Sequence, residues 1–297
     1  MELRQLRYFV EVAEREHVSA AAAELHVAQS ALSRQIANLE AELGVELFER
    51  EGRNIRLTQI GKIFLTHTKS ALKAIDYATK QVEEYIDPER GSIKIGFPTS
   101  LAGNLLPTVV SEFKKLYPKI GFQLRQGSYN FLIEAVDNRD LDIAFLGPVP
   151  QDKPNLTGNV LFKEKFYALV PTSHRLANRD AIDLIELKDE PFVLFPKGYI
   201  LHKLVFDGCS QAGFTPKATS EGEDLDAIKG LVAAGIGITM LPESAFSDLQ
   251  PLYSSKIAIK NPVIDRTVGV IIPRNRKLAP SEQVFYQFII DFFQNRN

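Results

Sequence analysis

Gln29, Ser30, Ser33, Arg34 and Asn38 are short or fork-shaped hydrogen-bonding groups that fall on one face of a single helical stretch. Their chemistry is recognition rather than catalysis, because such groups at the start of a helix can meet base edges in a DNA major groove. Arg50, Arg53 and Arg56 cluster around Gly52 a few residues later, where guanidinium groups suit phosphate or the minor groove. A second set lies far downstream. Thr99 and Ser100, and again Gly127 and Ser128, follow a strand pattern and open a helix. Phe195-Pro196-Lys197-Gly198 takes the matching place in a second unit and adds a cation. Hydroxyls, free backbone N–H groups and one lysine together favour a small anion, most simply a carboxylate. The competing readings are ordinary helix capping by Thr99 and Ser128 and plain solvation of the hairpin arginines.

No catalytic set accompanies these groups. Cys209, the single cysteine, reads as a small packed core residue, and the five histidines show neither i, i+4 pairing nor cysteine companions. Neither a metal nor a cofactor is therefore expected. Gly235-Ile236-Gly237 follows a helical pattern and precedes a strand, the reverse of a dinucleotide-binding loop. The net charge of −2 over 297 residues gives no sign of a nucleic-acid partner, and residues 1–60 hold seven Arg and no Lys against ten Glu. DNA binding must then rest on a local basic face rather than a basic domain. One cysteine, a charged start and no apolar run approaching about 18 residues favour a cytoplasmic protein without a membrane span.

The elements that must position these side chains can be read from spacing. Ser19–Leu25 opens on a good N-cap residue and continues with four alanines, small enough for close helix packing. Leu32, Ile36, Leu39 and Leu43 then mark the buried stripe of a second helix, Gln29–Glu42, ended by Gly44. Leu3, Leu6, Phe9, Val10 and Ala13 predict a helix that covers this hairpin from behind. Val45, Leu47, Phe48, Ile55 and Leu57 read as two short strands with Gly52 in the turn. The unit is a winged helix-turn-helix.

The stretch LRYFVEVAEREHVSAAAAELHVAQSALSRQIANLEAELGVELFERE followed by LTQIG resembles the LysR-type transcriptional regulators across the whole DNA-binding domain. The combination of FVEVAE, QSALSRQI, LE..LGV.LFER and LT..G is far more specific than a lone helix-turn-helix. The resemblance implies that Gln29, Ser30, Ser33 and Arg34 face DNA, with Arg50 and Arg53 in the wing. Ala28 and Ser30 depart from the family pattern, which often has Ser or Thr and then Pro at these positions, so the recognition helix loses a cap that Ser30 would replace in part. Through the runs VAQSALSRQIANLE, IKIGFPTSLA, FLIEAV and EGEDLDAIKGLV the chain most resembles, within the family, regulators of glutamate synthesis genes, which implies control of nitrogen and glutamate metabolism.

Residues 61–90 predict a dimerising linker helix and hinge. Leu65, Thr68, Leu72, Ile75, Thr79, Val82 and Ile86 alternate three and four apart, a heptad seam that implies a second helix alongside. Pro88 stops it. From Ser92 the grammar becomes β-α-β-α-β with a helix over Ala102–Leu116, which favours a parallel sheet with covered faces. It repeats as a second unit, and a last strand and helix, RTVGVIIP and Ser281–Phe293, follow. The expected fold class is α+β multidomain: a winged helix-turn-helix (1–60), the linker, and a two-lobed α/β effector domain of periplasmic-binding-protein type (91–297). Lobe I takes about 91–162 and 266–297, and lobe II about 163–265. The resemblance implies an effector pocket built from Thr99, Ser100, Gly127, Ser128, Phe195, Lys197 and Gly198. It further implies a carboxylate such as 2-oxoglutarate or glutamate, promoter DNA, further copies of the chain, and RNA polymerase as partners. An enzyme or carrier on the same cleft fold is the alternative, disfavoured by the wing, the heptad and the missing catalytic set.

Overall fold

Residues 1–83 and 84–297 form two compact units. The computed structural model describes residues 1–51, 54–87, 91–246 and 253–295, with the backbone alone for 50, 51 and 54.

The first unit opens with α1 (Leu3–Arg15), α2 (Val18–Glu24) and α3 (Gln29–Leu43), followed by the strands β1 (Phe48–Glu51) and β2 (Asn54–Leu57). Phe9, Val12, Leu32, Leu39 and Leu47 are fully buried where these elements meet. Ala21 and Ala22 are buried as well, so the small side chains expected to allow close packing do so. The cap of α2 differs from expectation. His17, not Ser19, precedes its first turn, and His17 Nδ1 accepts from the Ala20 N–H at 3.2 Å. An imidazole nitrogen supplies the same lone pair as a serine hydroxyl, and Ser19 instead donates to Gln29 Oε1 at 2.9 Å. Gly44, at φ +70°, ends α3 in the left-handed region. Pairing of β1 with β2 is antiparallel, with Phe48 opposite Leu57; Gly52 lies outside the described residues.

Helix α4 (Gln59–Ile86) starts against this core. A Cβ on Gly61 would stand 2.1 Å from the Leu47 carbonyl oxygen, so only glycine permits that approach. The heptad seam divides. Leu65 packs on the first core, and Thr68 and Leu72 are buried. Ile75, Val82 and Ile86 are exposed, as is the neighbouring Tyr85.

The second unit contains β3 (Ser92–Phe97), α5 (Thr99–Ala102), α6 (Leu105–Leu116), β4 (Gly121–Gln126), α7 (Tyr129–Asp137) and β5 (Ile143–Leu146). There follow β6 (Leu156–Pro171), β7 (Ala181–Asp183), β8 (Pro191–Leu194), α8 (Ile200–Gln211), β9 (Lys217–Glu221) and α9 (Leu225–Ala233). Last come β10 (Thr239–Pro242), β11 (Ser254–Asn261), β12 (Asp265–Pro273) and α10 (Pro280–Gln294). The main sheet runs β4-β3-β5-β12-β6-β11-β7, with β10 also on β6, while β8 and β9 pair separately. Parallel pairing, favoured by the β-α-β grammar, holds for β4-β3-β5, for β8-β9 and for β7-β11. It fails where β12 and β6 enter, because both lie antiparallel to their neighbours. These two are the strands shared by the lobes, and β6 extends over 16 residues. Lobe I packs Ile93, Ile95, Phe113, Phe145, Phe285 and Ile289 together, and lobe II packs Phe166, Phe192, Val205, Ile228 and Met240.

The single helix expected over Ala102–Leu116 is broken. Asn104 leaves helical geometry at φ −120°, ψ −54°, and its side-chain amide donates to the Phe246 carbonyl at 2.7 Å. A long-range hydrogen bond from the other lobe thus separates the short α5 from α6. No described helix is long and apolar enough to cross a membrane.

Candidate DNA interface and effector cleft

Helix α3 buries Leu32, Ile36 and Leu39 and turns Gln29, Ser30, Ser33, Arg34 and Asn38 to solvent. Two consequences of the 3.6-residue period are therefore realised on one element: anchoring on one side, hydrogen-bonding groups on the other. Ala28 precedes the helix with no side-chain cap, and its first N–H groups stay available to an outside acceptor. Arg34 meets no carboxylate among the described residues, so its fork is not spent inside the chain. Glu40, from the same helix, accepts from the Leu47 N–H at 2.7 Å and the Phe48 N–H at 3.1 Å. That carboxylate fixes the start of the wing to the recognition helix. The backbone of Arg50 lies in β1 opposite Ile55, and Arg53 lies outside the described residues. Arg56 is exposed on β2 opposite Glu49.

In the second unit, α5 and α7 begin where β3 and β4 end. Ser128 caps α7, its hydroxyl accepting from the Phe131 N–H at 3.3 Å. A cavity of about 350 Å³ lies before these helix starts, with Thr99, Ser100, Gly127 and Ser128 on the lobe I side. Phe195, Tyr199 and Leu201 form the opposite wall together with Glu223 and Asp224. The Phe195 and Tyr199 rings stack at 5.5 Å. Burial raises the pKa of Tyr129, which also lines the cavity and so keeps its proton as a donor. A second cavity of about 400 Å³ shares Thr99, Ser100, Gln126 and Asp224 with the first and continues past Asn104, Lys229 and Ser244. Its position beside the first makes one extended cleft between the lobes.

Of the seven residues expected to line an effector pocket, Thr99, Ser100, Gly127, Ser128 and Phe195 come together there. Lys197 and Gly198 do not line either cavity; both are exposed, with Gly198 at φ +99°. Lys197 acts instead on His202, whose pKa is lowered by burial first and by Lys197 as well, while Glu221 opposes. Asp224 caps α9, its carboxylate accepting from the Asp226 and Ala227 N–H groups at 2.9 and 3.0 Å.

Arg266 was not singled out by spacing. Its guanidinium is wholly buried at the base of the cleft and donates to Glu164 at 2.7 Å, the Gly147 carbonyl at 3.1 Å and the Ser100 hydroxyl at 2.9 Å. It also reaches Ser244 Oγ at 3.3 Å. Glu164 in turn accepts from the Ser244 N–H at 2.7 Å. Burial lowers the pKa of Arg266 and the Glu164 charge opposes that effect. The signal was present in the sequence: a lone cation heading the apolar run VGVII must be paired if that strand is covered. No group of three or more His, Cys, Asp or Glu that could hold a metal is found among the described residues.

Comparison with known proteins bears on both units. Residues 3–62 match the family described as bacterial regulatory helix-turn-helix protein, lysR family, and residues 87–294 match the LysR substrate binding domain. The chain is 64% identical to the transcriptional dual regulator GltC of Bacillus subtilis (strain 168), over 99% of the chain and 98% of that protein. Among solved structures, full-length CbnR complexed with its target DNA superposes with a TM-score of 0.77 at 24% identity, covering 99% of this chain and 100% of CbnR. The effector-binding domain of QuiR in complex with shikimate gives 0.64 at 24% identity, covering 69% of this chain and 98% of that one. At such identities these two likenesses speak for the fold.

Proposed function

The chain belongs to the LysR family of bacterial transcriptional regulators, and from that premise we propose that it binds promoter DNA as a homo-oligomer and responds to a small carboxylate held between its lobes. The regulated genes are those of nitrogen and glutamate metabolism, a reading supported by the 64% identity to GltC along nearly the whole chain. Family membership makes it a regulator and not an enzyme, which removes the cleft-enzyme alternative. The observation that carries the DNA reading is the exposed row Gln29, Ser30, Ser33 and Arg34 opposite the buried Leu32, Ile36 and Leu39. Asn38 extends the row, and the family resemblance adds Arg50 and Arg53 to the DNA-contacting set. The exposed half of the α4 seam, Ile75, Val82 and Ile86, supports pairing with a second copy. Two recognition helices could then enter grooves one turn apart, about 34 Å. Val82→Glu should shift the sedimenting species toward monomer; an unchanged species would remove the seam from the interface. RNA polymerase is the further partner of a promoter-bound activator.

The effector is 2-oxoglutarate or glutamate in this reading, bound by Thr99, Ser100, Gly127, Ser128 and Phe195. Its binding shifts the population of lobe arrangements and, with it, the spacing of recognition helices on DNA. Nuclease footprinting upstream of the protein's own gene, with and without 2-oxoglutarate or L-glutamate, tests the whole proposal. Protection whose extent or hypersensitive sites shift with the metabolite is expected. Protection that ignores both metabolites would sink the effector assignment, and no protection at moderate salt would sink the target.

A further inference from the structure

With Lys197 outside the cleft, the charge partner of a carboxylate has to be found elsewhere. Among the described residues lining the two cavities, Lys229 is the one lysine or arginine. It stands on α9 next to the fully buried Ile228, with 24% of its side chain exposed. Its nearest carboxylate, Asp226, is 4.0 Å away and 93% exposed, a solvent-screened pair beyond hydrogen-bond length. The Phe246 ring lies 6.0 Å from the ammonium and accepts no strong bond. The other acid nearby, Asp224, is already engaged as the cap of α9. Burial lowers the Lys229 pKa, with Asp226 and Asp224 opposing, as for an ammonium short of partners.

Two hydroxyls share the same wall, and their proton directions follow from what they accept. Ser100 Oγ accepts from Arg266 Nη2 at 2.9 Å, and an arginine never accepts, so the Ser100 proton must point to another group. Thr99 Oγ1 accepts from Gln126 Nε2 at 2.7 Å, which leaves its proton free in the same way. Both residues line both cavities. The cleft therefore carries donors where the cavities join. The Arg266 charge is balanced by Glu164, so it orients Ser100 without supplying net charge. Lys229 supplies it. Glu223 lines only the first cavity, Asp226 only the second, and Asp224 both, so each carries two acids and the second alone sets a cation, Lys229, beside them.

We propose that Lys229 selects the effector's carboxylate. That group enters the cavity beside α9 and meets the Lys229 ammonium and the protons of Thr99 and Ser100, while the rest of the molecule extends past Tyr199. This rests on the reading that the cleft holds a small effector, and adds to it the charge partner and the orientation.

The experiment is calorimetric titration and thermal-shift measurement of the full-length protein with 2-oxoglutarate, L-glutamate, glutarate and the neutral dimethyl glutarate. Carboxylates should bind and the diester should not. Lys229→Gln should weaken carboxylate binding on the order of tenfold or more, whereas Lys229→Arg, which keeps the charge, should retain most of it. Lys197→Gln should bind as the parent does. Unliganded melting and operator affinity of each variant should match the parent, which separates lost recognition from lost folding. Undiminished carboxylate binding by Lys229→Gln overturns the Lys229 assignment alone. Binding of the diester as tightly as glutarate overturns the charge selection. A parent protein that binds none of the four overturns the cleft reading and this proposal together.

Discussion

The carboxylate of Glu84 accepts two hydrogen bonds from Ser281, one from its backbone N–H and one from its hydroxyl, each at 2.9 Å. Glu84 lies in the last turn of α4 and Ser281 in the first turn of α10, and both are buried. A negative group at a helix N-terminus satisfies an orphan donor and complements the helix dipole. The approach is close: a Cβ on Gly91 would stand 2.4 Å from Ser281 Cβ and 2.8 Å from Glu84 Oε1. The end of the linker helix is thereby part of the second unit, which begins at Glu84.

Glu84→Ala should cost about 2–4 kcal/mol, because it strands a buried N–H and a buried hydroxyl while opening space. Glu84→Gln keeps one carbonyl acceptor and should cost about half as much. Urea melts of both variants check the order. Equal losses would mean that the one acceptor kept by glutamine contributes nothing, and no loss in Glu84→Gln would mean that the charge and second acceptor contribute nothing.

The buried pair of Arg266 and Glu164 makes a sharper prediction, since the two side chains come from the strands shared by the lobes. Removing one partner leaves a desolvated charge, so Arg266→Met should lose about 3–5 kcal/mol. Glu164→Gln with Arg266→Met should lose less than the sum of the single changes, with a coupling of about 1–3 kcal/mol. A double-mutant cycle by denaturant melts measures it. Strict additivity would show that the pair does not act as a unit.

Arg34→Ala should leave folding untouched, because the side chain is exposed and meets no carboxylate among the described residues. Operator binding should fall by about 1–3 kcal/mol if the guanidinium reads a base, with discrimination relaxed at one position. A uniform loss across sequences with a salt slope reduced by about one would place the same group on phosphate instead. Unaltered affinity would remove Arg34 from the interface.

What could be read beforehand follows the range of the forces involved. The bounds of α3 were legible because Leu32, Ile36, Leu39 and Gly44 act within one helix. The His17 cap was hidden, since histidine seldom fills that position and Ser19 offered the more usual hydroxyl. The break between α5 and α6 depends on a bond from Asn104 to the Phe246 carbonyl, 142 residues away. No local pattern announces such a bond. Short strands such as β7 and β9 lie in charged stretches where alternation is weak. In the cleft, Thr99, Ser100 and Ser128 were found because strand ends and helix starts are local signals. Lys229 and Arg266 were missed because tertiary packing between distant segments, and not spacing, brings them to those groups.

Cys209 offers a test of how tightly lobe II is packed. The thiol is fully buried on α8, and burial pushes it up to about 12. The neutral form is the one the fold favours. Its contribution to stability is therefore complete below the range of a free thiol, about 8.5, and is lost as pH climbs toward 12. At pH 8 the thiol therefore stays protonated, and access is closed as well. Iodoacetamide should leave the native protein unmodified at that pH and label it quantitatively in denaturant. Labelling should then quicken with urea in step with unfolding, because the reactive species is the opened one. Rapid native labelling at pH 8 would mean that α8 opens locally, and the core around Phe192 and Ile228 would have to be looser than its full burial implies.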